Sequence, residues 1–393
     1  MWTSSQERWH PRLDGSSWRA MSAGAPRSPP APAIAQGARR LALRSVRIPV
    51  ALAGVLVLWW LWAASHPPGP VVTPDPEGRV LLSLFALGDT GDPPRRLRAL
   101  QQQMRVARAL GAEAQRRPAD ALVLLGDNFY PDGLRAGEIE TRVRANLVEP
   151  YCVFLDLSAP LSQRVAEPCS EEARPIPLYA VLGNHDLDTA DSARLQQEVV
   201  PKYVANWHLW LDPQVVELPH GVSLVLYDPR RLAELGDFEP LVRAVRAARG
   251  PWRILVSHYP FTGRMPARAA ERALESAGVP VQLQLSGHEH NLQIGVLEGP
   301  LPMLQVVSGA GSDLRLPRRN LEGRRFAARL PGFARVDLVE RPDGRRLVAS
   351  LIAIREFSWQ LWLPTRVVSR WSVDESGRAV PEPPSDAAPP AAD

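Results

Sequence analysis

Seven side chains able to bind metal fall in five short blocks along this 393-residue chain. The blocks are GDTG (88–91), GDNFY (126–130), GNHD (183–186), SHYP (257–260) and GHEH (287–290), and each closes an apolar run. They carry Asp89, Asp127, Tyr130, Asn184, His258, His288 and His290. Taken singly, each has a plain structural use: Asp89 or Asp127 would cap a helix after its strand, Tyr130 would pack, and His258 would be a hydrogen-bonded core histidine. In this order and together they describe a site for two metal ions. Two-metal sites suit the hydrolysis of phosphate esters, because paired cations hold the attacking and the leaving oxygen at once.

The apolar runs set the elements that must position these groups. Val80 to Leu87, Ala121 to Leu125, Leu178 to Leu182, Val222 to Tyr227, Ile254 to Val256, Val281 to Leu285 and Met303 to Val307 read as short strands. Strands apolar throughout are buried on both faces. Leu97, Leu100, Met104, Ala107 and Leu110 follow helical spacing and predict a helix between the first two strands, its arginines on a solvated face. Phe333 to Val339 and Arg346 to Ala353 flank the turn sequence Arg341-Pro342-Asp343-Gly344, which predicts an antiparallel hairpin. The pattern is α/β with some antiparallel strands. Ligands in such sheets gather beyond the carboxyl ends of strands, and all five blocks fall there.

The block order is similar to that of the metallophosphoesterase superfamily. Its usual first block is Asp-x-His, and here the histidine position holds Gly91, while Tyr130, three residues after Asp127, supplies a substitute. This paired exchange resembles the purple acid phosphatases. GDNFY, HYP, GHEHNLQ and SGAG (308–311) together resemble the small, tartrate-resistant acid phosphatase type. The resemblance covers residues 80–315 and implies a calcineurin-like, four-layer α/β/β/α sandwich of two mixed sheets. It implies that Asp89, Tyr130 and His290 bind Fe3+, that Asn184, His258 and His288 bind a divalent ion (Fe2+, Zn2+ or Mn2+), and that Asp127 bridges the two. Ligand chemistry agrees with this division: phenolate and carboxylate are hard anionic donors, whereas imidazole and an amide oxygen suit a divalent ion.

The activity implied is that of a dinuclear metal-dependent acid phosphatase, which hydrolyses phosphate monoesters by in-line attack of a metal-bound hydroxide. A trivalent ion keeps the nucleophile available in acid. His185 is expected to act as general acid or to orient substrate, with a structural use as its alternative. Asp186 is expected to hold a neighbouring ligand in place. A phosphodiesterase or pyrophosphatase on the same centre is the second reading. A catalytically dead binding module is the third, and its signature of lost ligands is not met. Specificity falls to the loops Pro131 to Arg144 and Asp186 to Trp210. In the latter, Tyr203, Trp207 and Trp210 either contact an aryl or nucleoside leaving group or simply pack. His66, His208 and His220 lie outside every block, and Asn291 and Gln293 match the family string without a catalytic role.

Charge is uneven. Residues 1–47 hold eight arginines against Glu7 and Asp14, a net +6, which leaves the remainder at −2. The high pI therefore belongs to the N-terminal segment, and a nucleic-acid partner is not expected. The expected partners are a phosphorylated small-molecule or phosphoprotein substrate and a membrane. Ile48 to Ala64 is 17 residues without a charge, preceded by Arg39, Arg40, Arg44 and Arg47. This predicts a transmembrane signal-anchor or a signal peptide over 48–65, contacting the membrane through residues 48–64 and placing the rest on the periplasmic or extracellular side, or secreted if cleaved. The expected organisation is a disordered basic segment (1–47), that apolar segment, a Pro-rich linker (66–78), a catalytic domain (79–375) and a disordered tail (376–393). Cys152 and Cys169 are the only cysteines. A disulfide between them would contribute roughly 3 kcal/mol, and two free thiols are the alternative. Arg355 to Val373, with Trp359, Trp362 and Trp371, reads as a final strand pair or a docking patch.

Overall fold

The structure, a computed structural model, describes residues 52–61, 71–72, 75–94, 101–166, 173–262, 264–317, 323–354 and 365–383. By compactness the chain divides into Met1–Val57 and Leu58–Asp393. The N-terminal expectation needs correction. Among the described residues no helix is long and apolar enough to cross a membrane. Of residues 48–64 the structure describes 52–61, which are helical. That no described helix is long enough conflicts with the expected membrane anchoring through residues 48–64 and with the periplasmic or extracellular placement built on that anchor. The basic segment 1–47 lies outside the described residues.

In chain order the second unit contains β1 (Val71–Val72), β2 (Arg79–Leu87), α1 (Gln102–Arg116), β3 (Ala121–Leu124), β4 (Leu178–Ala180), β5 (Trp207–Leu209), β6 (Gln214–Leu218) and β7 (Val222–Leu226). There follow α2 (Pro229–Leu235), α3 (Glu239–Ala247), β8 (Trp252–Val256), α4 (Ala267–Ala277), β9 (Leu283–Ser286), β10 (Leu292–Leu297), β11 (Met303–Ser308) and β12 (Arg324–Ala328). The chain then forms β13 (Gly332–Arg341), β14 (Gly344–Ala353), β15 (Thr365–Val373) and β16 (Ala379–Pro381). Of the predicted helix, Leu97 and Leu100 lie outside the described residues, and Ala107 and Leu110 are buried in α1.

Two mixed sheets result. One has the order β1-β15-β14-β13-β2-β3-β4-β5, with β16 on β15, and the other β12-β10-β11-β9-β8-β7-β6. Within the first, β2 to β5 run parallel, so their carboxyl ends line up on one edge. Within the second, β7, β8, β9 and β11 do the same. The predicted hairpin is β13–β14, registered from Gly332↔Ala353 to Arg341↔Gly344. Two short strands fall in stretches read as a spacer and a tail: Val71–Val72 pairs with Thr365–Arg366, and Ala379–Pro381 pairs with Trp371–Val373.

Period-two alternation sorts the apolar side chains into layers. On β2, Leu82, Leu84 and Ala86 join Leu224, Ile254 and Leu285 of the other sheet in the core between the sheets. Phe85 and Leu87 face the other way, onto Val106 and Leu110 of α1. On the far side, Val225 and Leu255 pack on Leu241 and Val245 of α3 and Leu274 of α4. That is the four-layer α/β/β/α sandwich, and it explains why these strands carry apolar residues on both faces. Trp371 packs against the inter-sheet core, while Trp359 and Trp362 lie outside the described residues. Cys152 is disulfide-bonded; Cys169 lies outside the described residues.

A buried ion network not legible in the sequence ties the opposite, amino-terminal ends of these strands to α1. The side chain of Arg335 is 2% exposed and that of Asp337 1%. The Arg335 guanidinium donates from Nε to Asp337 at 3.0 Å, to the Ser83 hydroxyl at 2.7 Å, and to the carbonyls of Arg117 and Pro118 at 2.8 and 3.0 Å. Arg117 donates to the other oxygen of Asp337 at 2.8 Å. Removing one partner of such a group strands the other in low dielectric, which costs about 3–5 kcal/mol. Asp337→Asn is expected to lower stability by about that amount in urea denaturation. Arg79→Ala, at the exposed Arg79–Glu340 pair, is expected to leave the denaturation midpoint where it is.

Candidate metal centre

Every block sits at the carboxyl end of a strand. Asp89 follows β2, Asp127 follows β3, Asn184 follows β4, His258 follows β8, and His288 and His290 follow β9. The loops are knitted by backbone bonds: Asp89 N to Gly126 O at 2.9 Å, Gly91 N to Asp127 O at 3.0 Å, Tyr130 N to Gly91 O at 2.8 Å, and Gly287 N to His258 O at 3.0 Å. Asp89, Asp127, His288 and His290 adopt left-handed backbone, with φ of 57°, 53°, 68° and 51°. Each such residue other than glycine costs on the order of 1–3 kcal/mol, a strain typical of functional sites.

The structure brings all seven predicted residues together, in two groups. In the first, the Tyr130 hydroxyl lies 3.1 Å from Asp89 Oδ1, 2.9 Å from Asp127 Oδ2 and 3.1 Å from His290 Nε2. In the second, Asn184 Oδ1 lies 3.2 Å from His258 Nε2 and 3.1 Å from His288 Nδ1, and those two nitrogens are 3.2 Å apart. Asp127 Oδ2 touches both groups, since it is also 3.5 Å from His258 Nε2. The ligand atoms of Asp89, Asp127 and His290 all lie within 4.8 Å of one another, and the three residues are buried.

Proton counting shows what this arrangement fits. A phenol has one proton, and Tyr130 faces three acceptors. His258 Nδ1 lies 2.9 Å from the Leu125 carbonyl, which can only accept, so Nδ1 carries a proton, and once the ring gives up its second proton Nε2 presents a lone pair. That lone pair faces an amide oxygen, a carboxylate and a second imidazole. Converging lone pairs with too few protons between them are the inner surface of a cation's coordination shell, with the histidine held by a carbonyl behind it.

The electrostatics point the same way. Burial pushes the Asp89 carboxyl up to about 8, and burial with Asp89 and Asp127 alongside raises the Tyr130 phenol far above its ordinary value. Burial holds His290 neutral, at about 4. Burial opposes the charge on Asp127, but His258 and the His185 N–H outweigh it and its pKa is lowered. His258 is raised against burial by Asp127 and Asp89. One imidazolium cannot balance two carboxylates and a phenolate, so ionising Asp89 and Tyr130 takes cations of higher charge.

Gly91 explains the paired exchange read from the sequence. A Cβ there would lie 2.5 Å from Phe129 N and 2.6 Å from Asn128 C and Tyr130 N. No side chain fits, and the backbone that excludes one is the backbone that carries Tyr130.

Two supporting residues were only partly foreseen. Asp186 is fully buried and accepts from Gly183 N at 2.9 Å, Phe129 N at 3.1 Å, Asn128 N at 3.0 Å and Gln196 Nε2 at 2.9 Å. It locks the loop of Asp127 and Tyr130 to the loop of Asn184, as expected. Arg142 was not foreseen. It is buried and donates to the carbonyls of Tyr130 at 2.5 Å and Gly91 at 3.2 Å, and it sits just before a π-turn at Arg144–Val148. Nothing in a lone arginine on a helix announces this.

Other candidates separate from the site. Tyr203 and Trp207 belong to the core beneath α1. His208 stacks on Trp210 at 5.9 Å between ring centroids and lies tilted against Tyr179 at 5.6 Å. His220 occupies a turn with φ 61°, Asn291 and Gln293 bond to each other at 2.7 Å, and His66 lies outside the described residues. His185 is at the site: its N–H donates to Asp127 Oδ1 at 3.0 Å, its Nδ1 to the Pro131 carbonyl at 2.5 Å, and its ring stands edge-on to Tyr130 at 4.7 Å.

The chain matches the family described as calcineurin-like phosphoesterase over residues 82–292. It is 24% identical over 292 residues to tartrate-resistant acid phosphatase type 5 of Mus musculus, covering 67% of this chain and 80% of that protein. It is 24% identical over 266 residues to purple acid phosphatase 4 of Arabidopsis thaliana, covering 61% and 70% respectively. A solved structure described as the anchor in the inner membrane complex of Plasmodium superposes with a TM-score of 0.53 at 16% identity, over 75% of this chain and 89% of that one. That last likeness shows the fold alone.

Two outcomes are expected here. Because Asp89 holds its proton up to about pH 8, cation uptake below that pH must expel it. Affinity for zinc should fall about tenfold per pH unit below it for each proton expelled, with proton release, in isothermal titration. Gly91→Ala should abolish stoichiometric metal uptake, measured by elemental analysis, because its Cβ overlaps the Tyr130 backbone.

Proposed function

The chain belongs to the calcineurin-like phosphoesterase family and is related to the purple acid phosphatases, and on that premise we propose that it hydrolyses phosphate monoesters at a dinuclear metal centre. The observation that carries this reading is the shared Oδ2 of Asp127, in contact with Tyr130 on one side and His258 on the other. Asp89, Tyr130 and His290 would hold Fe3+, Asn184, His258 and His288 a divalent iron, zinc or manganese, and Asp127 both. Hard anionic oxygens on one side and imidazoles with an amide oxygen on the other support that assignment. When bound, such a pair polarises the phosphoryl oxygens and lowers the pKa of an attacking water.

The chain's own residues do the rest. Asp186 and Arg142 fix the Asp127–Tyr130 loop, so that the donor atoms need no rearrangement when substrate arrives. His185 is the group for the leaving oxygen. Its Nδ1–H is committed to the Pro131 carbonyl, so Nε2 donates only from the doubly protonated ring. Its side chain is 31% exposed, which leaves Nε2 room to face substrate.

The test is hydrolysis of an aryl phosphate monoester and the matching diester by the full chain loaded with iron, across about pH 4 to 9, a window that straddles the ionisation of cation-bound water. Monoester turnover should dominate on the acid side. Tyr130→Phe and His258→Ala should each lower kcat/KM by about a hundredfold or more, and His185→Ala should lower kcat most for the poorest leaving groups. A diester preference near neutral pH would keep the centre and move the function to a phosphodiesterase. No turnover of either substrate by metal-loaded protein would sink the phosphatase reading.

A further inference from the structure

Arg230 stands on the wall of this centre with no part in the chemistry above. It belongs to the first turn of α2, just beyond β7. Its Nη1 donates to the Asn184 carbonyl at 3.2 Å, and the side-chain oxygen of that same residue lies 3.1 Å from His288 and 3.2 Å from His258. Its Nε donates to Glu234 at 3.1 Å, and its Nη1 lies 3.9 Å from Asp188. The side chain also donates to the Tyr259 hydroxyl. The guanidinium is thus held in place by several partners, while 35% of the side chain remains exposed.

Two features distinguish Arg230 from Arg142 and Arg315. Arg142 is buried and committed to two carbonyls. Arg315 is anchored through its backbone N–H to the His290 carbonyl, beside the opposite group of ligands, and its side chain is exposed. Of these three described arginines, Arg230 combines a fixed orientation with partial exposure. Its two acidic neighbours, Glu234 and Asp188, are themselves 63% and 44% exposed. Ion pairs of that kind are weak, so an incoming anion competes with them readily. Asp188 also lies 3.8 Å from His185 Nδ1, so Arg230 and His185 flank the same carboxylate. Since His185 is the group for the leaving oxygen, Arg230 lies on the leaving-group side.

We propose that Arg230 is a specificity-determining residue that receives a second anionic group, carboxylate or phosphate, carried by the leaving group of a phosphate monoester. A planar guanidinium fixed in advance loses little freedom on pairing with such a group, and its fork matches two oxygens. The inference rests on the phosphomonoesterase reading and narrows it from monoesters in general to doubly anionic ones.

Binding tests this without turnover. Phenylphosphonate and its meta- and para-carboxylated analogues are titrated into the full metal-loaded chain by calorimetry. One carboxylated analogue should bind about tenfold more tightly than phenylphosphonate. Arg230→Gln should erase that ratio, and Arg230→Lys, which keeps the charge but not the fork, should retain part of it. Arg249→Gln removes an exposed positive charge at the opposite ends of the strands and should leave the ratio unchanged. If the carboxylated analogues bind no tighter, or if Arg230→Gln weakens all three ligands equally, the assignment of Arg230 is overturned. If no phosphonate binds the metal-loaded chain, the phosphomonoesterase reading fails, and this inference with it.

Discussion

Too many lone pairs in too small a volume is the constraint on which this structure depends. Two carboxylates, a phenol, an amide oxygen and three imidazoles converge with neighbouring atoms about 3 Å apart, with Asp89, Asp127, Tyr130, His258 and His290 buried. Left to themselves these groups respond by holding protons: Asp89 is pushed to about 8 and Tyr130 beyond its ordinary range. Such a cluster opposes folding unless multivalent cations share it. The rest of the site exists to hold it together against that repulsion.

Parallel strands do this at low cost. A β-strand that ends beside its parallel neighbour delivers its next residues to a common edge, and here five strands from two sheets deliver ligands to one such edge. The loops must then turn sharply within one or two residues, which is where the left-handed conformations of Asp89, Asp127, His288 and His290 arise. Glycines clear the space. A Cβ on Gly183 would stand 2.1 Å from Asp127 Oδ1. Asp186 and Arg142, both buried, tie the loops to one another with opposite charge, one accepting N–H groups and the other donating to carbonyls. The strain at the ligands is stored against this fixed frame.

The two ends of the strands carry different polar networks. At the carboxyl ends the charges are unbalanced and await partners. At the amino-terminal ends Arg335, Asp337, Arg117 and Ser83 form a network closed on itself, with the guanidinium donating to two carbonyls as well as to the carboxylate. Buried charges are tolerated when their hydrogen bonds are complete. The sandwich is thus pinned at one end by satisfied charge, which leaves the other end free to concentrate unsatisfied charge for binding.

The sequence by itself marked the seven residues that converge and the strands that carry them. Asp89, Asp127, Tyr130, Asn184, His258, His288 and His290 were legible because each follows an apolar run, and the runs were legible because strands buried on both faces admit few polar residues. Periodicity also carried the β13–β14 hairpin and α1. It did not carry β5, β6, β10 and β12, whose short or mixed sequences owe their conformation to neighbours already in place. Only the tertiary structure decided that Gly91 has no room for a side chain, that Arg142 reaches two carbonyls, that Arg230 lies beside Asn184, and that Tyr203 and Trp207 belong to the core. Those facts depend on distances between segments far apart in the chain, and spacing along a sequence does not encode such distances. The apolar segment at 48–64 shows the converse. Composition suggested a span, but a span also requires helical length, and among the described residues no helix is long and apolar enough to cross a membrane.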